Sequence, residues 1–111
     1  MNPLPALDSI FHQPVRTKLA ILLYGRTLSF ADLKRQLGIT DGNLDAHLKK
    51  LASSGYLESQ MVLEGRPHTV YRLSGSGRKA FEGYRSAILM LLALSHATEG
   101  EDDQTNRRKD V

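Results

Sequence analysis

Two helix-length segments, separated by three residues and each framed by its own capping signals, constrain this chain more than any other feature. The first opens at Leu28-Ser29-Phe30-Ala31-Asp32-Leu33, where Ser29 can cap, Asp32 three residues on completes a capping box, and Leu28 can staple onto Leu33. A helix over residues 30–37 follows, with Phe30, Leu33 and Leu37 on its inner face and Gly38 supplying the left-handed residue that ends it. The same signals return at once. Thr40 can cap, Asp41 favours the positive end of the new helix dipole, and Ile39 can staple onto Leu44. This second helix covers residues 41–54, carries Leu44, Leu48 and Leu51 inward and stops at Gly55. Length, turn chemistry and apolar spacing together match a helix-turn-helix unit.

The flanking segments complete the architecture. Pro14 suits the first turn of a preceding helix, and Val15, Leu19, Leu22 and Leu23 recur at helical spacing until Gly25, which predicts a helix over about residues 14–24. After Gly55 the period drops to two: Leu57, Met61 and Leu63 point one way, Glu58 and Gln60 the other. Glu64-Gly65-Arg66-Pro67 reads as a turn and residues 69–73 as a second strand, so the pair forms an antiparallel hairpin. A lone hairpin is marginal in water and must lean on the helices. The predicted class is therefore mainly α with a small β-hairpin (α+β), a winged helix-turn-helix followed by a long C-terminal helix.

That last helix is expected over about residues 75–97. Ser74 can cap it, although Gly75 and Gly77 weaken its first turn. Tyr84, Ile88, Leu91 and Ser95 lie along one face after Phe81, yet residues 87–94 (AILMLLAL) are apolar on every face. This run is far shorter than the ~20 residues needed to cross a bilayer, so no membrane role is expected. It must instead be covered all round, most simply by the same helix of a second subunit. Tyr84, Ile88, Leu91, Leu92 and Ser95 are accordingly assigned to a homodimer interface. The domain is placed at residues 1–98, and residues 99–111, with no apolar side chain before Val111, are expected to form a disordered tail.

Composition removes other classes. A chain of 111 residues supports one hydrophobic core, and 41% hydrophobic with 24% charged residues is ordinary for a globular domain. Without cysteine there is no disulfide framework, thiolate metal site or thiol switch. The histidines at 12, 47, 68 and 96 lack the close spacing of metal ligands, and no nucleophile elbow, phosphate loop or HExxH motif is present, so no metal, cofactor or catalytic residue is assigned. Ser74-Gly75-Ser76-Gly77 superficially resembles a phosphate cradle but lacks the following lysine, and reads as a strand-to-helix junction. The N-terminus shows no export signal, which makes a cytoplasmic, nucleoid-associated location the expectation. Residues 1–98 hold 12 Lys/Arg against 7 Asp/Glu, whereas residues 99–111 hold 3 against 5, so the basic character belongs to the folded part.

HQPVR at 12–16, LSFADLKRQLGITDGNLDAHLKKLASSGYLE at 28–58 and GRPHTVYRLSGSGRKAFEGY at 65–84 together resemble the winged helix-turn-helix transcriptional regulators of the MarR/ArsR-like class, closest to small single-domain archaeal and bacterial members. The resemblance covers roughly residues 8–90. It implies a homodimer joined through its terminal helices, a recognition helix in the major groove and a wing near the adjacent minor groove. Lacking cysteine, the chain departs from the metal-sensing branch, and metal responsiveness does not carry over.

With Leu44, Leu48 and Leu51 inward, Gly42, Asn43, Ala46, Lys49, Lys50 and Ser53 face outward. Asn43 can bridge adenine N6 and N7, Gly42 and Ala46 let the backbone come close, and Lys49 and Lys50 suit phosphates. His47 and Asp45 flank this face, and Asp45 is expected to turn toward Lys49. In the wing, Arg66 suits a narrow minor groove, with His68 and Arg72 as further candidates. Lys34 and Arg35, with the hydroxyls of Ser29 and Thr40, are placed at the backbone, and Arg16 is a weaker phosphate candidate. Tyr56, Tyr71 and Tyr84 are expected to pack rather than stack on bases. The expected function is a homodimeric, sequence-specific regulator on pseudo-palindromic double-stranded DNA; the alternative is a winged-helix module for protein interaction. The sequence leaves room for a small-molecule effector without indicating one.

Overall fold

The computed structural model describes residues 4–96 with their side chains and follows the last helix along its backbone to Asp110. A 3-10 turn (Ser9–Phe11) precedes α1 (Pro14–Leu23), β1 (Leu28–Ser29), α2 (Phe30–Leu37), α3 (Asp41–Ser53), β2 (Leu57–Val62), β3 (His68–Leu73) and α4 (Gly75–Asp110). The chain divides into two units, Asp8–Glu82 on the one hand and Met1–Leu7 with Gly83–Val111 on the other.

Within Asp8–Glu82 the helix ends follow local chemistry. Gln13 caps α1 by accepting from the N–H groups of Val15 and Arg16, with Pro14 in the first turn. Ser29 Oγ accepts from the Asp32 N–H at 3.1 Å, and Thr40 Oγ1 from the Asn43 N–H at 3.2 Å. Asp32 returns the contact, and its carboxyl is held below the usual carboxylate range first by the Ser29 hydroxyl and then by Arg35. Gly38 closes α2 with φ of 63°, a left-handed conformation that costs glycine little. α1 and α3 each stop one residue earlier than expected, at Leu23 and Ser53.

The core joins these helices. Phe11, Leu19, Leu23, Leu33, Leu44 and Leu51 are the largest fully buried side chains. Phe11 stacks on Tyr56 at 5.7 Å between centroids and meets Phe81 edge-on at 5.4 Å. Truncating a buried leucine of this kind costs about 2–5 kcal/mol.

Four features depart from the sequence expectation or lie beyond it. The hairpin is part of a three-stranded sheet, order β1-β3-β2, in which Leu28 pairs with Tyr71 and Ser29 with Val70. Two residues are too few to show a period, so β1 leaves no pattern. Second, the apolar alternation of β2 buries only its start. Leu57 is buried, whereas Met61 and Leu63 are 57% and 75% exposed, because the distal half of the hairpin finds no helix to cover it. Third, the turn at Ser9–Phe11 anchors the N-terminal arm: Asp8 caps it through the Ile10 N–H and accepts from the Tyr56 hydroxyl. Fourth, Arg16 ties that arm to α3. Its Nε donates to the Ile10 carbonyl at 2.7 Å and its Nη1 to His47 Nδ1 at 3.2 Å. A guanidinium can only donate, so His47 accepts at Nδ1 and is neutral. Burial, and then the Arg16 charge, hold its pKa below the ordinary imidazole value.

Packing against Tyr56, just before β2, accounts for one of the two glycines that weaken the start of α4, Gly77. Ser74 Oγ accepts from the Gly77 N–H at 2.9 Å, and a Cβ at Gly77 would stand 2.1 Å from the Tyr56 carbonyl oxygen. The Ser-Gly-Ser-Gly run is a close junction between helix and strand, as the sequence reading expects.

In the other unit, Leu89, Met90, Leu92 and Leu94 of α4 are 59%, 56%, 58% and 52% exposed. Ile88 and Leu91 are half-buried and Ser95 is exposed. No helix among the described residues is long and apolar enough to cross a membrane. α4 continues through Asp110, past its expected end near residue 97, and the side chains of residues 99–111, where a disordered tail is expected, lie outside the described residues.

Gly77→Ala should lower stability by about 1–3 kcal/mol or more, read as a drop in the thermal unfolding midpoint, because backbone rather than a flexible side chain blocks the new methyl. The His47 pair predicts a pH dependence. A base with a depressed native pKa binds protons more readily when unfolded, so its contribution is complete above the unfolded value near 6.5 and is lost as pH falls through the lower native value. His47→Gln retains an acceptor for Arg16 without a titratable proton. It should therefore lose less stability than the parent between neutral and mildly acidic pH, as measured by thermal melts across that range.

Candidate nucleic-acid interface

α3 is held from one side only. Leu44, Leu48 and Leu51 are at most 3% exposed, whereas Gly42, Asn43, Ala46, Lys49, Lys50 and Ser53 on the opposite face are all exposed. The helical period imposes this division: once three leucines enter the core, the intervening positions turn to solvent. Thr40 leads Asn43 into the first turn, so an amide and the N–H groups of the helix start share one end of the exposed face.

The turn between α2 and α3 brings Lys34, Thr40, Gly42 and Asn43 around one open concavity. Asp41 shares that concavity and pairs with Lys34 at 2.8 Å, an acidic group that the sequence reading placed only as a dipole partner. The pair spans seven positions through the turn, beyond the reach of helical spacing rules. A second groove, between the first turn of α2 and the wing, collects Ser29, Arg66 and His68 beside Phe30 and Tyr71. The two rings lie 6.5 Å apart and brace the wing against α2, so Tyr71 packs as expected. Tyr56 also packs, against Phe11.

Ion pairing sorts the cations. Arg35 is bound to Asp32, Lys34 to Asp41, and Lys49 to Asp45 at 2.8 Å, the i,i+4 pair expected from the sequence. The Asp45 hydrogen bond and charge raise the Lys49 pKa. Exposed pairs of this kind contribute at most about 1 kcal/mol, so a phosphate can compete for each lysine, but the standing field is reduced. Lys50 and Arg66 have no ion pair among the described residues. Of the cations on α2, α3 and the wing, these two are the ones most available to a polyanion.

The remaining candidates occupy other positions. His47 is half-buried and engaged by Arg16, so both side chains hold α3 in place. His68 Nδ1 lies 2.8 Å from the Arg66 carbonyl oxygen and steadies the wing turn, where Gly65 adopts φ of 69°. Arg72 lies at the opposite end of β3 from the wing tip and pairs across the strands with Glu58 at 2.8 Å. Arg16 was nominated for phosphate, and its hydrogen bonds instead point to a positioning role that sequence spacing does not disclose. No group of three or more acidic, histidine or cysteine side chains able to hold a metal occurs among the described residues.

Residues 15–92 match the family model of the winged helix DNA-binding domain. Over 84 residues the chain is 44% identical to the uncharacterized protein MJ0432 of Methanocaldococcus jannaschii, covering 74% of this chain and 91% of that one. Among solved structures, a transcriptional regulator homologue from Pyrococcus horikoshii OT3 superposes with a TM-score of 0.73 at 28% identity, over 78% of this chain and 87% of that one. The transcriptional repressor BigR of Xylella fastidiosa superposes with a TM-score of 0.61 at 26% identity, over 74% and 79%. A match that spans both the helix-turn-helix and the wing, carried by the same exposed α3, places the chain in the winged helix DNA-binding domain family.

Proposed function

We propose that the protein is a transcriptional regulator that binds double-stranded DNA as a homodimer, presenting two copies of α3 to a pseudo-palindromic site. The observation that carries this reading is the bare outer face of α3, with Asn43, Ala46 and Lys50 exposed directly behind a fully buried leucine stripe. Asn43, in the first turn, is placed to read adenine, and Ala46 offers a methyl contact to thymine. Lys50, together with the displaceable Lys34, Arg35 and Lys49, supplies phosphate neutralisation. Arg66, projecting from the wing, suits the neighbouring minor groove, whose negative potential is strongest where it narrows. Such a role locates the protein with the chromosome.

The α4 stripe supports the dimer. Four large apolar side chains more than half exposed in one short stretch cost solubility unless they are covered, and a twofold copy of the same helix covers them with matched chemistry. Of these four only Leu92 belongs to the face assigned from the sequence, so the proposed contact joins Tyr84, Ile88, Leu91, Leu92 and Ser95 to Leu89, Met90 and Leu94. Half-sites about 10 base pairs apart follow if the two copies of α3 sit one helical turn apart on the duplex.

Titration onto random and genomic duplex fragments at two ionic strengths tests the reading. Strongly salt-dependent, sequence-selective binding is expected; binding that is absent, or equal for all fragments, overturns the specific-regulator reading. Lys50→Ala should weaken all duplexes alike and reduce the slope of log affinity against log salt by about 0.9. Asn43→Ala should instead relax discrimination at one base position, by about 1–3 kcal/mol. Leu91→Glu should shift sedimentation from dimer to monomer, and a variant that still sediments as a dimer removes this stripe from the interface.

A further inference from the structure

The face of the sheet-and-helix unit away from the wing carries charge that duplex binding does not use. Arg26, Arg72 and Arg78 line one groove of about 180 Å³ together with Leu23, Gly25, Thr27 and Leu73. These residues come from three separate places in the chain: the turn after α1, the end of β3 and the start of α4. No carboxylate lines the groove.

Each guanidinium is set differently. Arg72 is oriented by Glu58, which takes its Nε at 2.8 Å and leaves both terminal nitrogens free of that contact. Arg78 lies over the Tyr24 ring, 5.5 Å from its centroid, a contact that holds it in place without consuming its charge. Arg26 has no ion pair among the described residues, and only its backbone N–H is engaged, by the Leu23 carbonyl. Glu58 therefore offsets one charge and two remain unneutralised. Like charges gathered at a small site repel, and an oxyanion with several acceptors relieves that repulsion while matching the planar donor forks of arginine.

We propose that Arg26, Arg72 and Arg78 form a binding site for a small-molecule oxyanion, a phosphate or a carboxylate, with the Thr27 hydroxyl as an additional donor. The site is separate from the nucleic-acid face. Arg72 stands four residues along β3 from His68, roughly 13–14 Å at ordinary strand rise, and the groove shares no residue with α3. An occupant can bind without displacing a contact proposed for DNA.

Calorimetric titration of the full chain with pyrophosphate, inorganic phosphate and succinate tests this, with the two phosphate probes and the dicarboxylate separating the two ligand chemistries. Saturable binding of at least one probe at one site per chain is expected, weakened at least tenfold in Arg26→Gln and further in Arg26→Gln/Arg78→Gln. Because Arg26 makes no side-chain ion pair, the single variant tests the site without disturbing the Tyr24 packing; Lys79→Gln, outside the groove, should bind as the parent does. Duplex affinity of the single variant should stay within about twofold of the parent. Absence of saturable binding, or equal binding by Arg26→Gln, overturns the proposal. So does a fall in duplex affinity that parallels the loss of anion binding, since the arginines would then be contacts to the DNA backbone.

Discussion

Everything that this fold offers to a partner depends on the burial of Leu44, Leu48 and Leu51 against the rest of the core. These three side chains decide the rotation of α3 about its own axis, and with it which residues meet solvent. Their contribution is nondirectional apolar burial, while the orientation they impose is directional because the helical period is fixed. Arg16 and His47 add a polar tie at the flank of the same helix, and Asp8 with Tyr56 tie the N-terminal arm to the strand entry. α3 is thus held by apolar packing behind it and a hydrogen bond beside it.

Charge on the exposed side is moderated rather than maximised. Asp32, Asp41 and Asp45 each hold a neighbouring cation, which orders long side chains and lowers the standing potential. Because exposed pairs are weak, a polyanion can exchange for the carboxylates at little cost, whereas a neutral or weakly charged surface gains nothing from that exchange. Lys50 and Arg66 stand outside this arrangement, one on the helix and one on the wing. Of the cations on α2, α3 and the wing, the two outside any ion pair therefore lie on the two elements that a winged helix presents to a duplex.

Much of the helix-turn-helix was legible from residue order. Ser29, Gly38 and Thr40 act through hydrogen bonds and backbone preferences that span no more than four positions, so their effect can be read without knowing the fold. The pairing of Asp45 with Lys49 was legible for the same reason. The wing was legible as a hairpin, but its alternation overstated burial: Met61 and Leu63 have the right period and no helix to meet. β1 was invisible, since two residues become a strand only when β3 arrives beside them.

From the sequence alone came the starts of the helices, their ends in α1, α2 and α3 to within a residue, the inward leucine stripe and the outward set from Gly42 to Ser53, because local capping and periodicity suffice for each, and the absence of thiol chemistry, because the chain has no cysteine. Tertiary structure alone decided which cations are free, that Arg16 serves His47 rather than solvent, that Gly77 accommodates the Tyr56 carbonyl, and that Arg26, Arg72 and Arg78 share one groove. Those outcomes require groups up to tens of residues apart to come within a few ångströms, a distance that depends on the packing of the whole unit and on no local rule.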